Sequence, residues 1–155
     1  SAVADYIRVP GQNVAALIQK KDLFPHILYL EGIPFKFYYD RLVKLGGYIG
    51  LAPLYDCAFN DSKSNVKFLE YSMAGMATIA SDLPPYSCIE NGIDGFLVEQ
   101  YDEDGWYKAM KTLIDDQNFR MVMLANARNK VFERHSWQSQ GRKQVWLEAF
   151  RSLVK

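Results

Sequence analysis

The chain alternates short, almost wholly apolar runs with longer stretches in which apolar residues return every three or four positions. "HILYLEG" (His26–Gly32) reads as a buried strand closed by glycine, and "YIGLAPL" (Tyr48–Leu54) and "MATIAS" (Met76–Ser81) read as two more. Runs of this length bounded by turn residues suit strands covered on both faces. Between the first two lies "PFKFYYDRLVKLGG" (Pro34–Gly47), a helix with proline in its first turn and paired glycines past its end. The helix within "FNDSKSNVKFLEYSMAG" (Phe59–Gly75) separates the next two. A short helix over "PPYSCIENG" (Pro84–Gly92) and a short strand at "GFLVE" (Gly95–Glu99) follow. Strands separated by helices imply βαβ crossovers, so the fold class is α/β with a parallel sheet flanked by helices.

Beyond Glu99 the pattern is helical only. In "DEDGWYKAMKTLIDD" (Asp102–Asp116), Trp106, Ala109, Met110, Leu113 and Ile114 form one stripe at helical spacing. A second helix is expected over Asn118–Arg134. A third starts near Gln138, with Trp146, Phe150, Leu153 and Val154 on one side. These helices make a C-terminal helical tail, and 1–155 is expected to be a single domain. The opening "SAVADYIRVPGQN" is weak strand material, although a doubly wound sheet ordinarily opens on a strong strand. It is consistent with a fragment whose first strand is missing.

Composition removes several function classes. Hydrophobic residues make up 49% of the 155 positions, enough for a substantial core and against disorder. Lys+Arg and Asp+Glu are both 18, a balance that argues against a nucleic-acid partner. No apolar run approaches the ~20 residues that span a bilayer, and no signal-peptide pattern opens the chain. Cys57 and Cys88 form no Cys-x-x-Cys pair, so a reduced, cytoplasmic setting is expected. His26 and His135 lack metal-ligand spacing, and the acidic Asp102–Asp104 run suits a helix's first turn better than a metal site.

The helix within Phe59–Gly75 carries more polar chemistry than packing asks for. At about 100° per residue, Val66, Leu69 and Met73 fall on one apolar stripe, with Glu70 and Ala74 along its edge. Lys67 lies next to them, and Lys63 projects onto the same edge from the preceding turn. The start of this helix should sit at the carboxyl edge of the sheet, where open α/β folds bind ligands. Backbone N–H groups around Ser64, Asn65 and Val66 can face an anion there, helped by the helix dipole. A second reading stands beside this one: Ser64 caps the helix, and Lys67 with Glu70 is an ordinary surface pair. Spacing does not separate the two.

Further residues carry a resemblance. "KSNVKFLEYSMAGMATIASDLPPYSCIENGIDGFLVE" contains Lys67, Glu70, Ala74 and Gly75, then Ser81, Pro85 and Tyr86, then Asn91, Gly92, Gly95, Leu97 and Val98. It resembles the donor-binding segment of GT-B glycosyltransferases, the C-terminal half of the large retaining family that uses nucleotide-sugars. The likeness extends over roughly residues 26–150. It implies a Rossmann-like half of a two-domain enzyme, inactive as an isolated fragment, with the acceptor bound by the absent N-terminal half. By the same resemblance Glu70 aligns with the second glutamate of an E-x7-E motif and binds the donor ribose. The first glutamate falls at Ser62, a departure that leaves the sugar open. Lys63 and Lys67 would stabilise the departing diphosphate, with no metal and no cofactor beyond the nucleotide-sugar donor.

Other positions keep two readings. Tyr86 flanks the diphosphate or packs its own turn. Gly32 and Ile33 approach the base, or Gly32 merely ends its strand. Gly75 is a C-cap, and Gly92 and Gly95 serve a turn with positive φ. The resemblance implies transfer to a glycan or lipid-linked acceptor in surface polysaccharide synthesis, with any membrane contact peripheral and made by the absent half. The rival is a non-catalytic nucleotide- or sugar-binding scaffold of the same fold. A dinucleotide enzyme is disfavoured because no G-x-G-x-x-G is present.

Overall fold

The strand Ala77–Ser81 (β2) is buried along its whole length and is paired in parallel on both sides. Ile49–Ala52 (β1) runs beside it with Gly50 opposite Thr78, and Phe96–Val98 (β3) lies on the other side with Leu97 opposite Ala80. The strand order is β1-β2-β3. In this computed structural model the described residues are 30, 32–135, 143, 144, 147, 148 and 151. Most of the strand expected over His26–Gly32, the opening stretch 1–13 and the apolar side Trp146, Phe150, Leu153 and Val154 lie outside the described residues. Residues 143, 144, 147, 148 and 151 are helical, within the third helix expected from Gln138.

The chain divides into two compact units, 1–47 and 48–155. In the first, a 3-10 turn over Phe35–Phe37 follows Pro34 and leads into the helix Tyr38–Lys44 (α1). Gly46 adopts φ 63 just past its end, as a glycine terminator should. Neither piece has a buried residue.

In the second unit, side chains alternate across the sheet with the period of two that strands impose. Ala80 of β2 and Ala52 of β1 face one core, which holds Phe68, Tyr86, Ile89, Ala127 and Val131. Ala77 and Ile79 face the other, with Val98, Ala109, Leu113 and Met123. The helix Val66–Ala74 (α3) covers the first face and Glu103–Asp115 (α4) the second. Gln117–His135 (α5) serves both, giving Met123 to one core and Ala127 and Val131 to the other.

Helix ends follow local chemistry. Asp102 accepts the Gly105 N–H at 2.9 Å and so caps α4, which accounts for the acidic run there. Asp116 accepts the Phe119 N–H at 2.8 Å and starts α5 in the same way. α3 ends at Gly75, φ 95, with Met76 N–H donating to Tyr71 O at 2.9 Å and Gly75 N–H to Ser72 O at 3.4 Å. This is a Schellman closure, and Arg128 Nε donates to the Ser72 carbonyl at 3.0 Å as a further cap.

Several expectations need correction. Val66 and Met73 are 43% and 45% exposed, so they are not the buried stripe of α3. The buried face is Phe68 and Ser72, flanked by Leu69 and Tyr71, because β1, β2 and α5 approach from that side. Of the α4 stripe, Ile114 is exposed and the other four residues pack inward. The helix expected over Pro84–Gly92 is only a 3-10 turn, Pro84–Tyr86. Its continuation fails because Glu90 N–H turns to the Asp94 carboxylate and Asn91 bridges to Gly95. One helical turn, Ala58–Asp61 (α2), arises where only a polar loop was expected, its Asn60 and Asp61 N–H groups closing on Cys57 O. Gly92 has the expected positive φ of 78, but Gly95 does not. A Cβ on Gly95 would meet Ile89 Cγ2 at 2.9 Å and Thr78 O at 3.1 Å, so close approach explains this glycine.

Gly50 shows the same constraint more sharply. The Tyr71 ring of α3 lies over it, its hydroxyl donating to Leu51 O at 3.1 Å, and a Cβ on Gly50 would stand 2.3 Å from Tyr71 Cδ2. We predict that Gly50→Ala destabilises the fold by about 1–3 kcal/mol, the usual cost of overpacking. Denaturant unfolding checks this; an unchanged midpoint would show that the helix can lift off the strand.

Candidate functional site

The described strands β1, β2 and β3 are parallel, so their carboxyl ends open on one edge, and the loops leaving that edge are bonded to one another. Leu54 N–H donates to Ser81 Oγ at 2.8 Å, and the Ser81 hydroxyl donates back to Leu54 O at 3.1 Å. Asp56 N–H donates to Gln100 Oε1 at 3.0 Å, and the Tyr55 and Tyr101 rings meet edge-on with centroids 6.3 Å apart. Tyr101 holds φ 64, a left-handed conformation uncommon for a residue with a side chain. The loop after β1 is further braced by Asn60, whose Nδ2 donates to Tyr55 O at 2.5 Å.

α3 begins at this edge. Its N-cap position is Asn65, at φ −75 and ψ 22, and no side chain caps the helix. Ser64 therefore does not cap the helix, contrary to the second of the two readings drawn from the sequence. The Asn65 amide is turned aside, with Nδ2 donating to Cys88 Sγ at 3.2 Å. The first-turn N–H groups thus keep the orientation that makes helix N-termini attractive to anions, worth about 0.3–1 kcal/mol per charge.

Beside that terminus Lys67 Nζ meets Glu70 Oε2 at 2.9 Å and lies 5.9 Å from the Tyr71 ring centroid. The Glu70 side chain is only 19% exposed, so this carboxylate is half-sheltered rather than a free surface charge. Tyr86 is buried in the 3-10 turn Pro84–Tyr86. Burial raises its hydroxyl above the ordinary phenol value of 10.0; Lys67 opposes that shift, while Cys88 and Glu70 add to it. Lys67, Glu70, Tyr86, Asn65 and Cys88 are thereby brought together.

The other expected residues have their own local settings. The Lys63 ammonium sits over the Phe59 ring, 5.1 Å from the centroid. The Ser62 hydroxyl donates to Ala58 O at 3.2 Å, closing α2 rather than facing the helix. Val66 stands exposed at the first turn. Gly32 and Ile33 belong to the first unit, outside any helix or strand, and a Cβ on Gly32 would meet open space. Among the described residues no group of three or more His, Cys, Asp and Glu side chains is arranged to hold a metal ion. No helix of the described residues is long and apolar enough to cross a membrane. Sequence reading missed Asn60 and Asp94, and also Cys88 and Lys130, whose partners lie far along the chain and leave no local pattern.

Solved structures share this architecture. The C-terminal domain of the glycosyl transferase group 1 family protein LpcC from Francisella tularensis superposes with a TM-score of 0.64 at 18% identity, over 80% of this chain and 61% of that one. Sucrose-phosphate synthase from Thermosynechococcus elongatus does so with a TM-score of 0.64 at 16% identity, over 97% of this chain and 37% of that one. The chain therefore spans less than two thirds of either structure. No protein-family model matches the sequence, and no curated protein does. At these identities the likeness establishes the fold: α/β, a parallel sheet flanked by helices, matching the C-terminal domain of a GT-B glycosyltransferase.

Tyr86 generates a pH test. Because its native hydroxyl is raised above 10.0, the unfolded chain gives up this proton first, and stability falls as pH climbs past that value. We predict that Tyr86→Phe loses less stability than the unaltered chain between about pH 8 and about pH 10.5. Thermal unfolding at both values measures it, and equal losses would show that the phenol titrates as it does in water.

Proposed function

We propose that this chain is the donor-binding part of a retaining glycosyltransferase that moves a sugar from a nucleotide-diphosphate sugar to a glycan or lipid-linked acceptor. The observation that carries the reading is the uncapped start of α3, with the Lys67–Glu70 pair and the Tyr86 turn beside it. It lies at the carboxyl edge of a parallel sheet whose fold matches a group 1 glycosyl transferase domain. N–H groups at Ser64, Asn65 and Val66 would receive the diphosphate, and Glu70 would accept the paired ribose hydroxyls. Lys63 and Lys67 would neutralise the charge that builds as the bond from the anomeric carbon to the diphosphate oxygen breaks, the electron pair leaving with the nucleotide. Ser62 would lie towards the sugar, and Tyr86 against the diphosphate.

The sugar then bonds to an acceptor hydroxyl on the face the diphosphate left, and the hydroxyl proton departs with the released nucleotide's phosphate or solvent. The acceptor would be held by a second half of the enzyme, and surface polysaccharide synthesis is the setting proposed, at the cytoplasmic face of a membrane. No metal is required by this scheme. One observation favours the alternative, a nucleotide-binding module without turnover: Ser62 offers a hydroxyl already engaged with Ala58 O where the motif has a carboxylate. Donor hydrolysis by the chain joined to its acceptor half would exclude that alternative.

The direct test is an NMR titration with UDP, GDP, dTDP and ADP, repeated with Glu70→Ala. One nucleotide should shift resonances clustered at 63–70. Hydrogen bonds to a charged group are worth about 1.5–3 kcal/mol, so the substitution should weaken binding by about ten- to a hundredfold. Silence from a folded sample with every nucleotide would remove the donor-site reading, and undiminished binding by Glu70→Ala would remove the ribose role.

A further inference from the structure

Asp94 and Lys130 form the most deeply buried ion pair among the described residues, and nothing in the donor-site scheme uses them. Asp94 is 1% exposed. Its Oδ1 accepts the Glu90 N–H at 2.8 Å, and its other oxygen meets Lys130 Nζ from α5. The same ammonium donates to the Cys88 carbonyl at 3.0 Å. Cys88 is the residue whose sulfur receives the Asn65 amide at 3.2 Å. A continuous path therefore runs from α5 through Lys130 to Cys88 and on to the first turn of α3.

Each link has a physical consequence. Sulfur is a weak acceptor, so it cannot draw Asn65 to itself; it holds that amide only if the Cys88 backbone is fixed in the right place. Lys130 supplies the fixing bond, and Asp94 keeps the ammonium aimed. Asparagine is otherwise among the strongest N-capping residues. Released from Cys88, Asn65 could turn its carbonyl oxygen onto the Lys67 or Phe68 N–H and occupy the anion position. A buried ion pair is often no more stabilising than well-packed apolar residues of the same volume, so bulk stability does not account for it.

We propose that Lys130 and Asp94 are positioning residues for the donor site. They fix Cys88 so that its thiol holds the Asn65 side chain off the start of α3 and leaves those N–H groups to a nucleoside diphosphate. The inference rests on the donor-site reading above, and its test separates the two.

Removing one charge alone would strand the other and can unfold the protein, so the informative variant is Asp94→Asn with Lys130→Met. It retains an acceptor for Glu90 N–H, leaves no unpaired buried charge and deletes the tether on Cys88. In the 155-residue chain the Asn65 side-chain amide resonances should move even without nucleotide. The Kd for whichever of UDP, GDP, dTDP or ADP the unaltered chain binds should rise about tenfold. Lys130→Arg, which keeps the charge and the donors, should stay near the unaltered value. Adding Asn65→Ala to the double variant should recover part of the lost affinity, because alanine has nothing to cap with.

Leu113→Ala, in the core on the opposite face, is the control for a purely structural loss. The inference is overturned if the Asn65 resonances stay in place, if the double variant binds as tightly as the unaltered chain, or if Leu113→Ala with an equal fall in Tm loses as much affinity. Should the unaltered chain bind none of the four nucleotides, the donor-site reading fails and this inference falls with it.

Discussion

A strand buried on both faces must satisfy its backbone sideways and its side chains above and below, and β2 meets both demands within five residues. Parallel neighbours on each side take its N–H and C=O groups. Ala77, Thr78, Ala80 and Ser81 are small enough for helices to close on it, while Ile79 fills the one larger space. Everything else in the second unit follows from covering that strand. α3 and the 84–89 turn seal one face, α4 seals the other, and α5 is shared between the two cores.

The same strand dictates where chemistry can occur. At the end of β2 the Ser81 hydroxyl takes over from the backbone ladder on the β1 side, holding Leu54 by both its N–H and its carbonyl. The loop that leads to α3 thus inherits its position from the end of β2. A partly exposed Lys–Glu pair three residues apart adds only about 0.2–0.5 kcal/mol to a helix. The Lys67–Glu70 pair therefore contributes little to holding α3, whereas Phe68 holds the helix to the sheet, its burial contributing about 1.5–3 kcal/mol.

α3 shows how far a helical wheel can be read. Val66, Leu69 and Met73 do form a stripe by spacing, yet the helix turns Phe68 and Ser72 inward. Apolar residues stand on both sides of this short helix, and the wheel does not say which side meets a neighbour. Tyr71 favours one of them: its ring lies over Gly50 and its hydroxyl donates to Leu51 O. The α4 stripe was more reliable since its outer face is plainly polar, and only its last member, Ile114, lies out of the core. The Pro84–Gly92 segment misled for another reason: Asp94 and Asn91 compete for backbone groups that a helix would have used.

Local physics, acting within a few residues, is what the sequence determined by itself: strands within Tyr48–Leu54, Met76–Ser81 and Gly95–Glu99, the helix that ends at Gly75, the helices that follow Glu99 and the parallel α/β class. Hydrophobic periodicity and backbone preferences suffice for those. Glu70 and Lys67 were also visible, being three positions apart on one helix. The tertiary structure alone decided that Asn65 turns to Cys88, that Lys130 reaches Asp94 and the Cys88 carbonyl, and that Gly50 and Gly95 are glycines because other side chains occupy their Cβ space. Those partners are brought together by chain crossovers, and no short-range pattern encodes a contact between residues that meet only after the sheet has formed.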